Sequence, residues 1–180
     1  MGENYTINEF GEISRSDYFF QAAKEGAGSP LPTNRKIIVT YLLSFITFGI
    51  YGLVMSFAMA RETNISCRED GKNTKTFWAV LGLSIITLGI YAIVWMIKWL
   101  NREHSFLTRR NRSGYLSGTV YFVLMLVLII VNYVIAFTTP EQAYISSFIM
   151  IPFGMLCWGL IVKQHNEVNK IHNVETFPHK

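Results

Sequence analysis

The residues best suited to chemistry in this sequence are its histidines. His165, His172 and His179 recur every seven residues, and His104 stands apart from them. Two histidines that bind one metal from a helix are usually three or four residues apart, whereas seven residues span two turns, about 10 Å. We therefore interpret the three as a solvated stripe of a helix and predict no metal site.

No other set of residues meets the requirements of a catalytic site. The sequence has no Ser-His-Asp set, no H-E-x-x-H motif, no glycine-rich phosphate loop and no paired carboxylates within its apolar segments. Cys67 and Cys157 lack the spacing of a disulfide or a zinc site. We predict no catalytic residue, no cofactor and no enzymatic activity.

A polar loop carries the strongest local motif, C-x-x-D-G-K-x-T. Glycine can adopt positive φ at its turn, and the acid and the lysine beside it could bind a lipid headgroup or a partner. The alternative is a plain connecting turn whose last threonines cap the next helix. The motif residues are Cys67, Asp70, Gly71, Lys72 and Thr74.

A basic cluster follows two tryptophans further along the chain. This order is typical of the cytoplasmic edge of a membrane span, with aromatic rings at the interface and cations beyond them. We predict contact with anionic lipid and no nucleic-acid binding, which would need a folded basic surface. The predicted anchor residues are Trp95, Trp99, Arg102, Arg109, Arg110 and Arg112.

An internal repeat appears when the chain is compared with itself at a shift of 40 residues. Residues 43–54 and 83–94 share eight of their twelve positions, including a T-x-G-I-Y core, and Phe153-Gly154 is a weaker third echo. Threonine can bend a helix through its own backbone, and glycine permits a bend or a close neighbour. The predicted packing and kink residues are Ser44, Thr47, Gly49, Tyr51, Ser84, Thr87, Gly89 and Tyr91.

Four apolar segments surround these motifs and must position them. They cover residues 37–60, 77–100, 116–137 and 145–162, and only 16% of the chain is charged. Each is about long enough to cross a hydrocarbon core of roughly 30 Å as a helix. We predict an all-α polytopic membrane protein with four transmembrane helices, two of them an internal repeat. Residues 1–35 form a polar cytoplasmic tail and linker, 36–163 the membrane domain, and 164–180 a cytoplasmic tail.

Each copy of the repeat could instead be a re-entrant hairpin that turns at T-x-G-I-Y. We favour the spanning form, because residues 37–60 rise about 36 Å as one helix. Twelve basic residues then lie on the side of both termini and four in the first loop, which favours N-in and C-in. The spanning form also predicts that Cys67 is labelled from outside the cell.

The repeated T-x-G-I-Y core and the C-x-x-D-G-K-x-T loop resemble those of a family of small bacterial membrane proteins known only as a domain of unknown function. The resemblance runs from about Ile65 to Asn169, and the first copy departs from it by having Met55 where the second has Trp95. It implies a bacterial inner-membrane location and no particular activity.

Three functions remain open at this point. The first is a non-enzymatic scaffold or accessory subunit that packs through its T-x-G-I-Y helices, on a second copy or on a larger membrane protein. The second is a small pore or carrier lined by the repeat, which can pack with opposite orientation as transporter halves do. The third is a lipid-interacting enzyme that uses Asp70 and Lys72. Membrane lipids are partners in all three.

Overall fold

The computed structural model describes residues 30–139 and 143–177, with side chains described outside 143–151, and within these ranges the chain is all-helical. The tail at 1–29, most of the predicted N-terminal domain, and His179 lie outside the described residues. The elements are α1 (Ile37–Ile46), α2 (Ile50–Ser66), a short 3-10 helix (Arg68–Asp70), α3 (Phe77–Ile86), α4 (Ile90–Arg109), α5 (Gly118–Thr138) and α6 (Ala143–Thr176).

The first predicted span is two helices joined by a tight turn. Phe48 has φ 51° and Gly49 φ 88°, so the helix cannot continue through them. The amide of Gly49 donates to the carbonyl of Ser44 at 2.7 Å, and the amide of Phe48 to that of Phe45 at 3.2 Å, which is a Schellman helix end. A Cβ added at Gly52 would lie 2.9 Å from Oγ of Ser44, so α1 packs back on α2.

The second copy of the repeat folds in the same way. Leu88 has φ 49° and Gly89 φ 89°, and the amide of Gly89 donates to the carbonyl of Ser84 at 2.7 Å. The predicted continuous helices over 37–60 and 77–100 are therefore wrong. The re-entrant alternative describes the backbone correctly, with two helical hairpins 40 residues apart.

One hydroxyl in each copy stabilises both helices at the turn. Oγ1 of Thr47 donates to the carbonyl of Leu43 at 2.7 Å and accepts from the amide of Tyr51 at 2.9 Å. In the second copy, Oγ1 of Thr87 donates to the carbonyl of Leu83 at 2.7 Å and accepts from the amide of Tyr91 at 3.0 Å. The threonine thus closes the end of one helix and caps the start of the next, which explains T-x-G-I-Y.

The last two helices form a longer pair. Among the described residues, α5 is the one helix that is long and apolar enough to cross a membrane; its most apolar stretch has a mean hydropathy of 2.7 and no buried residue. The four-span prediction is therefore confirmed only as an all-helical fold, in which one helix of the described residues is a clear candidate for a membrane span. Helix α6 runs unbroken through Pro152 and Gly154, so the third echo of the repeat does not make a turn.

The buried apolar core lies where α2, α4 and α6 meet. Trp95 and Trp99 are 6% and 0% exposed, and their rings lie 5.5 Å apart. The prediction that they are interfacial aromatics is wrong, because they fill the core between the helices. Trp78, in the first turn of α3, is by contrast 78% exposed.

Candidate functional site

The side chain of Arg102 organises the C-x-x-D-G-K-x-T loop from inside. Its Nε and Nη2 donate to the two carboxylate oxygens of Asp70 at 2.7 and 2.9 Å. Nη1 donates to Oδ1 of Asn64 at 2.5 Å and to Oγ1 of Thr74 at 3.1 Å, and Nη2 also donates to the carbonyl of Cys67 at 3.2 Å. All five guanidinium hydrogens are thereby used. Arg102 is buried, so its predicted role as a lipid anchor is wrong.

The backbone of the loop completes the same arrangement. Gly71 has φ 64°, and the amide of Lys72 donates to Oδ1 of Asp70 at 2.9 Å. Cys67 is fully buried, and burial raises the pKa of its thiol. A buried neutral thiol is unreactive, so the prediction that Cys67 is labelled from outside is wrong. Lys72 is the motif residue whose side chain remains exposed.

Two further arginines connect the first loop, between α2 and α3, to the end of α6. They lie where α4 ends and the second loop, between α4 and α5, begins. The guanidinium of Arg110 bonds the carboxylates of Glu69 and Glu175, each at 2.7 Å, and Arg109 reaches Glu69 at 3.2 Å. The hydrogen bonds from Arg110 lower the pKa of Glu69 and of Glu175. Both loops and the C-terminal end of α6 therefore lie at one end of the molecule, which contradicts the predicted placement of the first loop on the opposite side. Arg112 is exposed at this end.

A buried charge cluster lies beneath the loops. Nδ1 of His165 is 2.6 Å from Oε1 of Glu103, and Nε2 is 2.9 Å from Oε2 of Glu62, whose other oxygen pairs with Arg35. Burial alone would lower the pKa of His165, but the two carboxylates outweigh burial and raise it. With the imidazole protonated, two cations balance two anions. The interpretation of this histidine as part of a solvated stripe is wrong.

Two further hydrogen bonds fix the orientation of Glu103 in this cluster. Its Oε1 also accepts from Oγ1 of Thr63 at 2.7 Å and from Nε1 of Trp99 at 3.0 Å. Both ring nitrogens of His165 are occupied by carboxylates, so neither has a lone pair free for a metal. The cluster therefore joins α2, α4 and α6, and among the described residues Oε2 of Glu103 is buried in it without a hydrogen-bond partner.

Three asparagines of α6 hold the segment that precedes α1. Asn173 exchanges two hydrogen bonds with the backbone of Leu31, both at 2.8 Å. Asn169 donates to the carbonyl of Pro32 at 2.9 Å, and Asn166 to that of Arg35 at 3.1 Å. These side chains take the place of a neighbouring strand, so the extended segment has satisfied backbone groups without a sheet. The segment before α1 therefore also lies at the end of the molecule where both loops and the C-terminal end of α6 meet, called the charged end below.

An open groove of about 610 Å³ runs between the loop and one face of α4. Its α4 wall changes from apolar near the hairpin turn to polar near the second loop. Five cations and one carboxylate line it, and the carboxylate is already paired with Arg102. The lining residues used below are Lys72, Lys75, Tyr91, Val94, Trp95 and Lys98.

The predicted site residues thus separate into three places. Thr47, Gly49, Thr87 and Gly89 form the two turns, and a Cβ added at either glycine would meet nothing within 4 Å, so these glycines turn the chain and do not pack helices. Cys67, Asp70 and Thr74 of the loop motif form one buried network with Arg102, and Arg109 and Arg110 bridge the loops.

Sequence reasoning missed the buried cluster of Glu62, Glu103 and His165. Two signals could have found it. Arg61-Glu62 and Arg102-Glu103 lie in corresponding helices, 41 residues apart, and the asparagines of α6 follow His165 at helical spacing.

Comparison with known proteins agrees with the doubled architecture. A search of curated proteins found no match, and a search of solved structures found none either. The family described as a domain of unknown function, DUF4234, matches twice, over residues 35–77 and 75–173. The first match contains α1 and α2, and the second begins just before α3. Because the two matches cover more than half of the chain, this protein belongs to the DUF4234 family.

Proposed function

We propose that this protein is a non-enzymatic scaffold of the bacterial inner membrane, which enters the cytoplasmic leaflet through two helical hairpins. The observation that carries the proposal is the exposure of the hairpin turns: Phe48 is 97% exposed and Leu88 93%. Large apolar side chains at the tip of a projection are unfavourable in water and favourable in lipid. The turn hydrogen bonds described above also satisfy backbone groups there, as lipid requires.

Helix length supports two different depths of insertion. A ten-residue arm such as α1 or α3 rises about 15 Å, half of a hydrocarbon core, whereas the 21 residues of α5 rise about 31 Å. A Cβ added at Gly118 would lie 2.1 Å from the carbonyl oxygen of Ile97, so α5 starts against the middle of α4. On this arrangement α5 and the first half of α6 cross the bilayer, and the hairpins reach its middle.

Charge supports the orientation. No lysine or arginine lies within α1, α3 or α5, and the contacts between the loops and the end of α6 gather the basic residues at one end. Basic residues next to membrane segments favour the cytoplasm. We therefore propose N-in and C-in, with the first loop also inside.

A pore lined by the repeat receives less support than a scaffold. The hydroxyls of Ser44, Thr47 and Thr87 donate to carbonyls of their own helices, at 2.7 Å in each case. Hairpins that reach half of the bilayer also leave the other half of such a path without a lining. Carboxylates occupy both ring nitrogens of the buried His165, and this arrangement argues against an enzyme.

Depth-dependent quenching tests the insertion. A single cysteine at Phe48 or Leu88 would be labelled with an environment-sensitive fluorophore, and Arg61→Cys, at the charged end, serves as the control; both native cysteines are buried. In liposomes we expect nitroxide-labelled lipids to quench the two tip labels and aqueous iodide to quench only the control. Iodide quenching of the tip labels would overturn the insertion.

The scaffold role needs a separate test. The full chain, purified in mild detergent, would be weighed by mass photometry or light scattering. Self-association or a stoichiometric membrane-protein partner supports a scaffold. A strict monomer without any copurifying protein contradicts it, whatever the quenching shows.

A further inference from the structure

The groove beside the C-x-x-D-G-K-x-T loop brings lysine side chains together with an apolar wall. We propose that it holds the phosphate of an anionic phospholipid from the cytoplasmic leaflet, an inference that rests on the proposed membrane insertion. The juxtaposition that carries it is three lysines, unpaired with any acid of the part of the chain that the structure describes, facing an apolar wall that leads to the exposed hairpin turn.

The charge of the groove is uncompensated. Lys72 and Lys75 come from the loop, and Lys98 comes from α4 across the groove. All three are exposed, and no acid among the described residues forms an ion pair with any of them. Asp70, the acid in the lining, is buried against Arg102 and already neutralised. A phosphate oxygen is the natural counterion for converging ammonium groups.

The polarity of the α4 wall matches the order of groups in a phospholipid. Tyr91 and Val94 lie within the first two turns after Gly89, near the level of the hairpin turn, and Lys98 lies one turn further from it. A headgroup at Lys98 would therefore leave its acyl chains beside the apolar residues. Trp78, exposed in the first turn of α3, is placed where tryptophan marks a lipid interface.

The groove is also built before a ligand arrives. Its polar wall is the loop whose backbone and carboxylate are held by the five hydrogen bonds of Arg102. Its apolar wall contains Trp95, whose Nε1 donates to the carbonyl of Lys75 at 3.1 Å. This bond fixes the backbone at Lys75, one of the three lysines, so less backbone ordering remains to be done when a phosphate binds.

Native mass spectrometry of the full, delipidated chain tests the proposal. Phosphatidylglycerol would be titrated against phosphatidylcholine, for the unaltered chain and for the triple variant Lys72→Gln, Lys75→Gln, Lys98→Gln. The control, Arg61→Gln, Arg112→Gln, Lys170→Gln, removes the same charge from exposed positions outside the groove. Because each lysine near an anionic lipid adds electrostatic attraction, we expect the groove variant to bind phosphatidylglycerol at least ten-fold more weakly and the control to change less than three-fold.

The other outcomes overturn the inference. Equal losses in the two triple variants would mean that general surface charge holds the lipid. Displacement of phosphatidylglycerol by millimolar inorganic phosphate or glycerol phosphate would assign the groove to a soluble phosphate compound. If lipid quenchers reach the labels at the hairpin turns and the groove variant still binds phosphatidylglycerol as the unaltered chain does, the groove site is refuted and the membrane insertion stands. Tip labels exposed to iodide would refute the proposed insertion.

Discussion

The imidazole Nδ1 of His165 lies 2.6 Å from Oε1 of Glu103, and neither side chain has exposed surface. Glu62 occupies the other ring nitrogen, so one histidine from α6 joins an acid of α2 to an acid of α4. The two acids belong to the two copies of the repeat. His165 therefore joins the two hairpins, together with the direct bonds of Thr63 to Glu103 and of Asn64 to Arg102.

Replacement of His165 by glutamine should destabilise the fold strongly. Glutamine cannot carry charge, and the variant would leave the carboxylates of Glu62 and Glu103 facing each other with Arg35 as the remaining cation. Breaking a buried ion pair in this way costs about 3–5 kcal/mol. Thermal unfolding in detergent measures the loss, with His104→Gln, at a half-buried site, as the control. Equal stability of the two variants would contradict the assigned role.

Stability should depend on pH through the same residue. The folded-state pKa of His165 is raised above 6.5, so its stabilisation is fully present below about pH 6.5 and falls as the pH rises through the raised value. The pKa of Glu62 is lowered, because its bonds to His165 and Arg35 together outweigh burial; its contribution is present above about pH 4.5 and falls in more acidic solution. Chemical unfolding between pH 4 and 10 should show the alkaline loss in the unaltered chain and not in His165→Gln. Parallel curves would refute the linkage.

Replacement of Arg102 by lysine should loosen the loop although the charge is kept. Lysine has three donors on a flexible stem, whereas the guanidinium uses five in a fixed plane. We expect a loss of about 3 kcal/mol and faster hydrogen exchange over residues 67–74. Arg112→Lys, at an exposed site, should change neither quantity. Unaltered exchange in the Arg102 variant would show that the loop holds its conformation without the guanidinium.

The two glycines of the second hairpin should respond oppositely to alanine. Gly89 has φ 89°, where a Cβ is strained even though no atom lies within 4 Å, and we expect Gly89→Ala to cost about 1–2 kcal/mol. Gly82 lies inside α3 with open space around it, and Gly82→Ala should gain up to about 1 kcal/mol of helix stability. Unfolding of both variants under one condition measures the difference. A change of the same sign in both would contradict the turn.

Local sequence patterns predicted the helical content, the repeat and the residues of each turn, and they did not decide whether T-x-G-I-Y bends a helix or reverses the chain. The turn depends on two consecutive residues at positive φ, and the first is Phe48 in one copy and Leu88 in the other, residue types that rarely adopt it. The contact of Ser44 with Gly52 in the closed hairpin supports that conformation. Sequence spacing alone cannot show such a contact.

The sequence by itself determined where apolar chain ends and charged chain begins, because the order of apolar and charged residues does not depend on which residues meet in space. It also determined the polar loop, whose asparagine, aspartate, glycine and threonine act over a few residues. Only the tertiary structure decided that Arg102, Trp99 and His165 are interior residues. Their burial depends on partners 32 to 62 residues away, including Asp70, Thr63 and Glu103, and a charge is buried only where such partners meet it.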